Sequence, residues 1–315
     1  MPEDQRGCPA CGGPLVPWRT VPSSDPSAPG PVALQRCGTC GTAVTTTPLP
    51  EQDLHETGAY SEDAPRGSRL AAPLLARFDR ERLGLLARAV PPPARLVDAG
   101  AGRGRFAAAA RAAGYDAHGI EPSRRGVDAA LTHYGVLLER AGVEEATVAP
   151  GSADAVSLWH VLEHVDDPRA ALRAIRGWLR PGGVLLVGVP DLASVQARIG
   201  GARWYHLDVP RHRTHFTTTG LRMLLRAEGF AVEAEAHWML EHGPFGLWQS
   251  AVNRLTSTPS YLYNLLKRNA PFRVWDVAVT LAALPLVPVA LVAEWLAGRS
   301  GRGGTVAMLA RRAGD

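Results

Sequence analysis

The sequence predicts an α/β fold in which helices cover both faces of a largely parallel sheet, with a small cysteine-containing module at the N-terminus. Strand-like and helix-like segments alternate one by one from about residue 95 to residue 190, which favours parallel strands joined by right-handed crossovers. A glycine-rich turn separates the first of these strands from the first helix. Two Cys-x2-Cys pairs lie within the first 45 residues, and they predict the separate module.

The individual elements are predicted from apolar spacing and from the turn residues at their ends. The predicted strands are residues 95–100, 115–121, 136–141, 154–159, 184–190, 231–239 and 304–312. The predicted helices are residues 74–90, 106–114, 124–135, 168–183 and 217–230. The first helix ends at three consecutive prolines, which cannot continue a helix.

Composition limits the class of protein. With 46% hydrophobic residues among 315, the chain can bury a full core, so a disordered protein is excluded. The formal net charge is +4 and the isoelectric point is about 9.1. This balance mildly favours anionic partners and does not indicate a nucleic-acid-binding protein.

The first residues lack the apolar core of a signal peptide, so we expect a cytoplasmic location.

The four cysteines form two knuckles, Cys8 with Cys11 and Cys37 with Cys40, and each knuckle is followed by glycine. In a reducing compartment such pairs are better interpreted as metal ligands than as disulfides. Four thiolates make a closed tetrahedral site, which is structural rather than catalytic. We therefore predict a zinc ribbon over residues 1–45, with disulfides as the alternative. The ribbon could dock on the main domain, contact a partner or help to close a pocket.

A candidate nucleotide site lies at the ends of the first two strands of the series. Asp98, Gly100, Gly102 and Gly104 occupy the turn after the first strand, where glycines let a ligand approach the backbone closely. Glu121 ends the second strand, where a carboxylate can accept hydrogen bonds from the hydroxyls of a ribose.

These residues belong to a longer resemblance. The segment DAGAGRGRF followed by GIEPS, the segment SADAVSLWHVLEHVDDP and the segment LRPGGVLLVGVPD are similar, in order and spacing, to motifs of class I S-adenosylmethionine-dependent methyltransferases. The resemblance covers roughly residues 95–235. Dinucleotide oxidoreductases lack the second and third segments. The resemblance implies a Rossmann-like sheet that binds S-adenosylmethionine across the carboxyl ends of its first two strands.

The resemblance also implies the cofactor contacts. Asp98 and Gly100 would lie near the methionine part, Gly102 would allow close approach, and Glu121 would hold the ribose. Residues 46–94 would form a helical linker and a lid over the cofactor.

The adenine contact departs from the family pattern. Many relatives have an Asp after the third strand, whereas Val143 and Glu144 stand there in this chain. The other expected cofactor contacts are Tyr60, in the lid, with Pro122 and Trp159.

Two histidine-rich segments are candidates for the acceptor side. His160, Glu163 and His164 have i, i+3 and i+4 spacing, which places them on one face of a short helix. A second segment supplies histidines further along the chain, among them His215. One interpretation is that these residues are structural. In a second, His160, His164 or His215 removes the acceptor proton as a general base.

A third interpretation is a divalent-metal site formed by His160, Glu163, His164 and His215. The pattern is similar to the E-x-x-E-H and distal His of ubiquinone-type O-methyltransferases and of small-RNA terminal 2′-O-methyltransferases, although His160 replaces the first Glu. Such a metal would lower the pKa of an acceptor hydroxyl.

The second segment, which also contains His206, Asp208 and His212, resembles a group of bacterial methyltransferases with N-terminal zinc ribbons. Its arginines could meet an anionic acceptor or could form a solvated surface loop. These arginines are Arg203, Arg211 and Arg213.

The segment 277–293 is apolar apart from Thr280, is interrupted by Pro285 and Pro288, and is flanked by tryptophans. Tryptophans at the ends of an apolar segment are typical of membrane interfaces. The segment could be a hairpin that dips into a membrane, an apolar wall around the acceptor, or a homodimer contact. A full membrane span is not expected, because the strand 304–312 must return to the same sheet.

The sequence as a whole predicts a bacterial methyltransferase with a zinc ribbon (1–45), a linker and lid (46–94), and a catalytic domain (95–315) with an apolar insertion near 240–300. The expected acceptor is an oxygen of a bulky, partly apolar molecule from secondary metabolism or of a lipid-linked precursor, with N- and C-methylation left open. The alternatives are an RNA-directed methyltransferase and a scaffold that has lost turnover. The protein would be cytoplasmic or peripheral to a membrane.

Overall fold

The computed structural model describes residues 7–25, 28, 30–48, 68–266 and 270–314, which form one large and one small sheet. The strands are β1 (Leu15–Pro22), β2 (Pro31–Cys37), β3 (Ala43–Thr45), β4 (Arg95–Ala99), β5 (Asp116–Ile120), β6 (Leu138–Glu139), β7 (Ala153–Trp159), β8 (Leu179–Pro190), β9 (Thr214–His215), β10 (Phe230–Ala236) and β11 (Thr305–Arg312). The α-helices are α1 (Ser68–Ala87), α2 (Arg105–Ala112), α3 (Arg124–Tyr134), α4 (Pro168–Trp178), α5 (Val195–Gly200), α6 (Thr218–Ala227), α7 (Gly243–Val252), α8 (Tyr261–Leu266), α9 (Val274–Ala283) and α10 (Val287–Arg299).

The large sheet has the strand order β10-β11-β8-β7-β4-β5-β6. Strands β8, β7, β4, β5 and β6 run parallel, and β11 runs antiparallel to both β8 and β10. The predicted Rossmann-like fold is therefore confirmed, including the return of the last strand to the same sheet. Because the order reverses between β4 and β7, their carboxyl ends open a crevice in which ligands of such sheets bind.

Two predicted boundaries are wrong. The helix expected over 168–183 ends at Trp178, and the segment LRPGG instead begins β8. Pro181 lacks the backbone donor that a helix needs, and Gly182 has a φ of +74° that leaves the helical region. The strand expected over 136–141 is formed only by Leu138–Glu139, because only Gly119 and Ile120 of the neighbouring strand pair with it.

Helix α1 packs on the main domain. Its Leu86 is completely buried and shares a core cluster with Leu96 of β4 and Phe106 of α2. The part of the predicted linker that the structure describes is therefore anchored to the sheet. The expected lid contact, Tyr60, lies outside the described residues.

The N-terminal ribbon is joined to the main domain by backbone pairing. Strands β1, β2 and β3 form an antiparallel sheet, and β3 pairs in turn with β9, with Ala43 opposite His215. The hydroxyl of Thr217, just after β9, donates to the carbonyl of Cys40 at 2.7 Å. Of the roles left open by the sequence, docking on the main domain is the one that the structure shows.

The apolar segment forms one helical run and not a hairpin. Helix α9 continues through a 3-10 turn (Leu284–Leu286) into α10. Pro285 and Pro288 both lie in the first turn of the unit they enter, where a missing backbone donor costs little. By length and composition, Val274–Arg299 is the one helical stretch of the described residues that would suffice to cross a membrane.

Candidate active site

The glycine-rich turn after β4 builds a cradle at the sheet edge. Gly100 has a φ of +73°, and a Cβ there would lie 2.2 Å from Val161 Cγ2, so no other residue fits. Gly102 also has a positive φ but faces open space, which leaves room for a ligand against the backbone. The Gly102 amide donates to Glu121 Oε2 at 2.8 Å, and the Ser123 amide donates to Oε1 at 3.0 Å. The buried Glu121 carboxylate is thereby fixed beside the turn.

Asp98 lies behind this turn in a buried ion pair that the sequence analysis missed. Arg82 of α1 places Nη2 2.6 Å from Asp98 Oδ1, and Asp98 is 1% exposed. The Arg82 guanidinium also donates to Ser157 Oγ of β7 and lies 3.6 Å from the centre of the Phe106 ring. Helix α1 therefore ties together β4, β7 and α2 next to the expected methionine position. The conspicuous helical spacing of residues 74–90 gave no indication that one arginine turns inward.

His160 directly follows β7 and is strained. Its φ is +54°, an uncommon conformation for a residue with a side chain, and its amide donates to the carbonyl of Gly188 at 2.9 Å. The His160 ring centre lies 4.1 Å from that of His242 and 6.0 Å from that of His206. Burial lowers the pKa of His160 to about 4, so its imidazole is neutral at physiological pH.

A second group lies one turn further along. Ligand atoms of Glu163, His164 and His212 all fall within 4.8 Å of one another, a spacing that a metal ion could bridge. Glu163 is 1% exposed, and neither of its carboxylate oxygens accepts a hydrogen bond from the described part of the chain. Burial raises the pKa of this carboxyl group to about 7. A buried carboxylate whose oxygens accept no hydrogen bond within the described residues, next to two imidazoles, fits a divalent cation.

The structure changes the predicted membership of that metal group. His160 and His215 were expected to belong to it, but the third member is His212. His160 Nδ1 lies 3.1 Å from Glu163 Oε1, beside the group. His215 lies in β9, and its Nε2 is 3.0 Å from the hydroxyl of Thr45 in the ribbon. Because β9 pairs with β3, the His215 side chain lies against the ribbon. Its contact residue, Thr45, is 170 positions away in the sequence.

The arginines of the second segment are held by the protein itself. Arg203 donates to the carbonyls of Asn253 and Thr256 at 3.1 and 2.7 Å. Arg211 Nη2 lies 2.6 Å from Asp208 Oδ1. Arg213 donates to the carbonyl of Thr47 at 3.0 Å, which again links the segment to the ribbon. These guanidinium groups therefore order the loop.

The remaining predicted cofactor contacts are spread around the same edge. Val143 and Trp159 are buried, whereas Pro122 and Glu144 are exposed.

Glu241 and His242, which the sequence pattern did not indicate, enter the site from the loop after β10. Glu241 pairs with Arg105 at 2.7 Å. No spacing motif marks them, because they reach the site only through the sheet topology.

The ribbon cysteines converge on one point. The Sγ atoms of Cys8 and Cys40 are 3.6 Å apart, and those of Cys11 and Cys37 are 3.5 Å apart. These separations are far longer than a disulfide bond, and all four thiols are free. Their ligand atoms lie within 4.8 Å of one another, which fits a tetrahedral zinc ion.

The sheet order, the glycine cradle and the Glu121 carboxylate together define a class I S-adenosylmethionine-dependent methyltransferase fold. Consistent with this, a family model described as a methyltransferase domain matches residues 69–235, more than half of the chain. The chain belongs to this methyltransferase family.

Curated relatives agree with the family. The chain is 30% identical over 194 residues to the ubiquinone biosynthesis O-methyltransferase of Caulobacter vibrioides, covering 58% of this chain and 71% of the relative. It is 32% identical over 138 residues to the enzyme of the same name from Xanthomonas campestris pv. campestris strain B100, covering 41% of this chain. The match spans 58% of the length of that Xanthomonas relative.

Solved structures match the fold. The [4+2]-cyclase SpnF aligns with a TM-score of 0.50 at 19% identity, over 81% of this chain and 97% of that chain. A chain from the Haloferax volcanii complex of the Trm112 methyltransferase activator aligns with a TM-score of 0.52 at 16% identity, over 84% of this chain and all of that chain. At such identities the likeness concerns the fold alone.

Proposed function

We propose that the protein transfers a methyl group from S-adenosylmethionine to a hydroxyl oxygen of a small, partly apolar acceptor. The observation that carries this proposal is the position of two groups at one sheet edge. The Gly102–Glu121 cradle lies at the ends of β4 and β5, and the Glu163–His164–His212 group follows the adjacent β7. The O-methyltransferase relatives support oxygen as the acceptor atom.

The cofactor side depends on Glu121. Each of its oxygens accepts one backbone hydrogen bond, which fixes the carboxylate beside Gly102, where a Cβ would meet nothing within 4 Å. We assign the Glu121 carboxylate to the two ribose hydroxyls of S-adenosylmethionine, which supplies the methyl group. The chain's own contribution to methyl transfer is alignment of the acceptor in a site that excludes water.

The acceptor side depends on the fate of the hydroxyl proton. Glu163, His164 and His212 would hold a divalent cation, which lowers the pKa of a bound hydroxyl. His160, neutral and adjacent to Glu163, is the alternative group to accept the proton. His164 and His215, the other base candidates, remain predictions of the sequence. In this proposal His164 is a ligand, and His215 positions the segment against the ribbon.

Titration calorimetry with S-adenosylmethionine tests the cofactor assignment. Glu121→Ala is expected to weaken binding at least about 100-fold, because two charge-assisted hydrogen bonds of about 1.5–3 kcal/mol each are lost. Asp128→Ala, which removes an exposed carboxylate from the adjacent helix α3, is the matched control and should bind as the wild type does. Equal binding by Glu121→Ala and wild type would contradict the proposed ribose contact.

Manganese binding tests the cation assignment without relying on turnover. The wild-type protein should bind one Mn²⁺, observed by the loss of its free electron-paramagnetic-resonance signal. Glu163→Gln, which keeps the shape but removes the charge, is expected to weaken that binding by about 10–100-fold. Glu145→Gln, at an exposed position, should change nothing. If Mn²⁺ does not bind while His160→Gln abolishes turnover, His160 acts as the base instead.

The acceptor class is tested by transfer of a radiolabelled methyl group. An alkyl-substituted catechol should accept it more rapidly than the unsubstituted catechol, because the apolar chain adds binding area. The labelled product should carry the methyl on oxygen. Labelling of an RNA transcript with no labelling of either catechol would favour the RNA-directed alternative.

A further inference from the structure

The helical run from α9 to α10 has its polar and apolar sides inverted. Three of its polar residues, Asp276, Thr280 and Glu294, are between 0% and 5% exposed, whereas its large apolar residues point outward. In its most apolar window only 17% of the residues are buried within the protein. The apolar face is defined here as the exposed residues Phe272, Val274, Trp275, Leu281, Leu284, Leu286, Val287, Val289, Leu291, Val292, Trp295 and Leu296.

The buried polar residues lock this orientation. Asp276 Oδ1 accepts a hydrogen bond from the Ser257 amide at 2.7 Å, and Asp276 Oδ2 accepts another from the Ser257 hydroxyl. At the other end, Glu294 Oε1 accepts from the Gly304 amide at 2.7 Å. Rotating the helix to bury its apolar face would break these hydrogen bonds and leave their polar groups without partners. The face is therefore presented to the outside by the fold itself.

We propose that the apolar face docks the protein on the surface of a lipid bilayer. Seventeen consecutive residues, 277–293, offer Thr280 as their one polar side chain, and it is buried. A protein interface usually includes hydrogen bonds at about one per 100–200 Å², and the exposed side chains of residues 277–293 offer no group to make them. Hydrocarbon requires none.

The ends of the face match a bilayer interface. Trp275 and Trp295, 67% and 44% exposed, stand near the two ends of the helical run, where indoles sit at headgroup level. A cavity of about 550 Å³ beside Trp295 is lined by Arg80, Arg88 and Arg299. Glu81 also lines this cavity, so three exposed cations and one carboxylate leave a net positive charge next to the apolar face, which complements anionic lipid headgroups.

The helix lies on the bilayer and does not cross it. Its first turn is bound to Ser257 and its last turns to Gly304, so both ends belong to the folded domain. The Trp248 indole also donates to the Ala283 carbonyl at 2.8 Å, which fixes the middle of the run to α7. A surface-seated helix of this kind buries only one side in the lipid.

Vesicle flotation of the full-length protein tests the proposal with matched triple variants. The vesicles are phosphatidylcholine, with and without phosphatidylglycerol. The test variant carries Leu281→Glu, Val289→Glu and Leu296→Glu, all at exposed positions of the face. The control carries Val16→Glu, Leu131→Glu and Leu137→Glu, which are equally exposed positions elsewhere and give the same change of charge and residue type.

The wild type and the control should float with vesicles, more strongly when phosphatidylglycerol is present. The test variant should lose at least about 100-fold in the partition coefficient, since each large apolar residue that enters lipid contributes roughly tenfold. Circular dichroism should show all three proteins folded.

Failure of the wild type to float, or equal flotation of both variants, would overturn the proposal. So would a wild-type dimer that does not float and that the test variant alone dissociates, because the face would then bind a second copy. None of these measurements requires S-adenosylmethionine, so they are independent of the proposed activity.

Discussion

Replacement of Arg82 by methionine is expected to lower the free energy of unfolding by about 3–5 kcal/mol, because it leaves the Asp98 carboxylate buried without its cation. The side chains of Arg82 and Asp98 are 10% and 1% exposed and are joined at 2.6 Å, so water cannot take the place of the guanidinium. Methionine fills a similar volume, which separates the loss of charge from the creation of a cavity. Urea denaturation followed by circular dichroism gives the change.

The control for this prediction is Arg80→Met, two residues earlier on the same helix but exposed. We expect it to change stability by less than about 0.5 kcal/mol. The double variant Arg82→Met with Asp98→Asn should recover part of the lost free energy of unfolding, because the neutral amide does not need a cationic partner. A single Arg82→Met variant as stable as Arg80→Met would show that the ion pair does not hold α1 on the sheet.

The sheet was predictable because each of its elements is encoded locally. The strand at 95–100 and the helix after it are separated by Gly100, Gly102 and Gly104, and all three have positive φ angles in the structure. Apolar periodicity and turn residues act within a few positions of the chain. The same locality made Glu121 predictable, since it directly follows a strand whose neighbour carries the glycine turn.

The acceptor side was only partly predictable, because it depends on contacts between distant parts of the chain. Glu163 and His164 were selected from their spacing, together with His160 and His215, but the third residue of the group that could hold a metal ion is His212. Two short strands determine this arrangement. Strand β9 pairs with β3 of the ribbon, and the His215 ring lies within hydrogen-bond distance of the Thr45 hydroxyl. A two-residue strand leaves no periodic signal in the sequence. His242 reaches His160 in the same indirect manner, through the turn after β10.

The apolar face and the candidate active site share helix α7. This helix follows His242 directly and packs against α10, and a Cβ on its first residue, Gly243, would lie 2.9 Å from Glu294 Cγ. A glycine is therefore needed for the close approach of the two helices. If the apolar face docks on a bilayer as proposed, α7 alone separates α10 from His242, which suits an acceptor with an apolar part.

We predict that the four cysteines bind one zinc ion, and that replacement of Cys37 by serine removes this ion and unfolds the ribbon. Cys37 is 2% exposed, and serine offers a hard, weakly acidic oxygen in place of a thiolate. Metal binding supplies about 10–16 kcal/mol in small zinc modules, so the short antiparallel strands β1 to β3 should not stay folded without it. Elemental analysis should find one zinc in the wild type and none in the variant, and proteolysis should then cut within residues 10–47.

Loss of the ribbon should reach the active site through β9. The hydroxyl of Thr45 donates to the His212 carbonyl at 2.7 Å and lies 3.0 Å from His215 Nε2, so its removal frees the segment that presents His212 to Glu163. We expect turnover to fall about 10–100-fold, the usual effect of losing groups that orient a ligand. Affinity for S-adenosylmethionine should change less than turnover, since Glu121 and Gly102 follow strands of the large sheet, with which the described strands of the ribbon do not pair.

Thr39→Ser is the matched control for this experiment, because it lies in the same knuckle, is exposed and keeps its hydroxyl. It should retain zinc, the ribbon and full turnover. A Cys37→Ser protein that loses zinc yet turns over at the wild-type rate would show that the ribbon does not position the histidine segment. A wild-type protein without zinc, with a ribbon as resistant to proteolysis as that of Thr39→Ser, would refute the metal site itself.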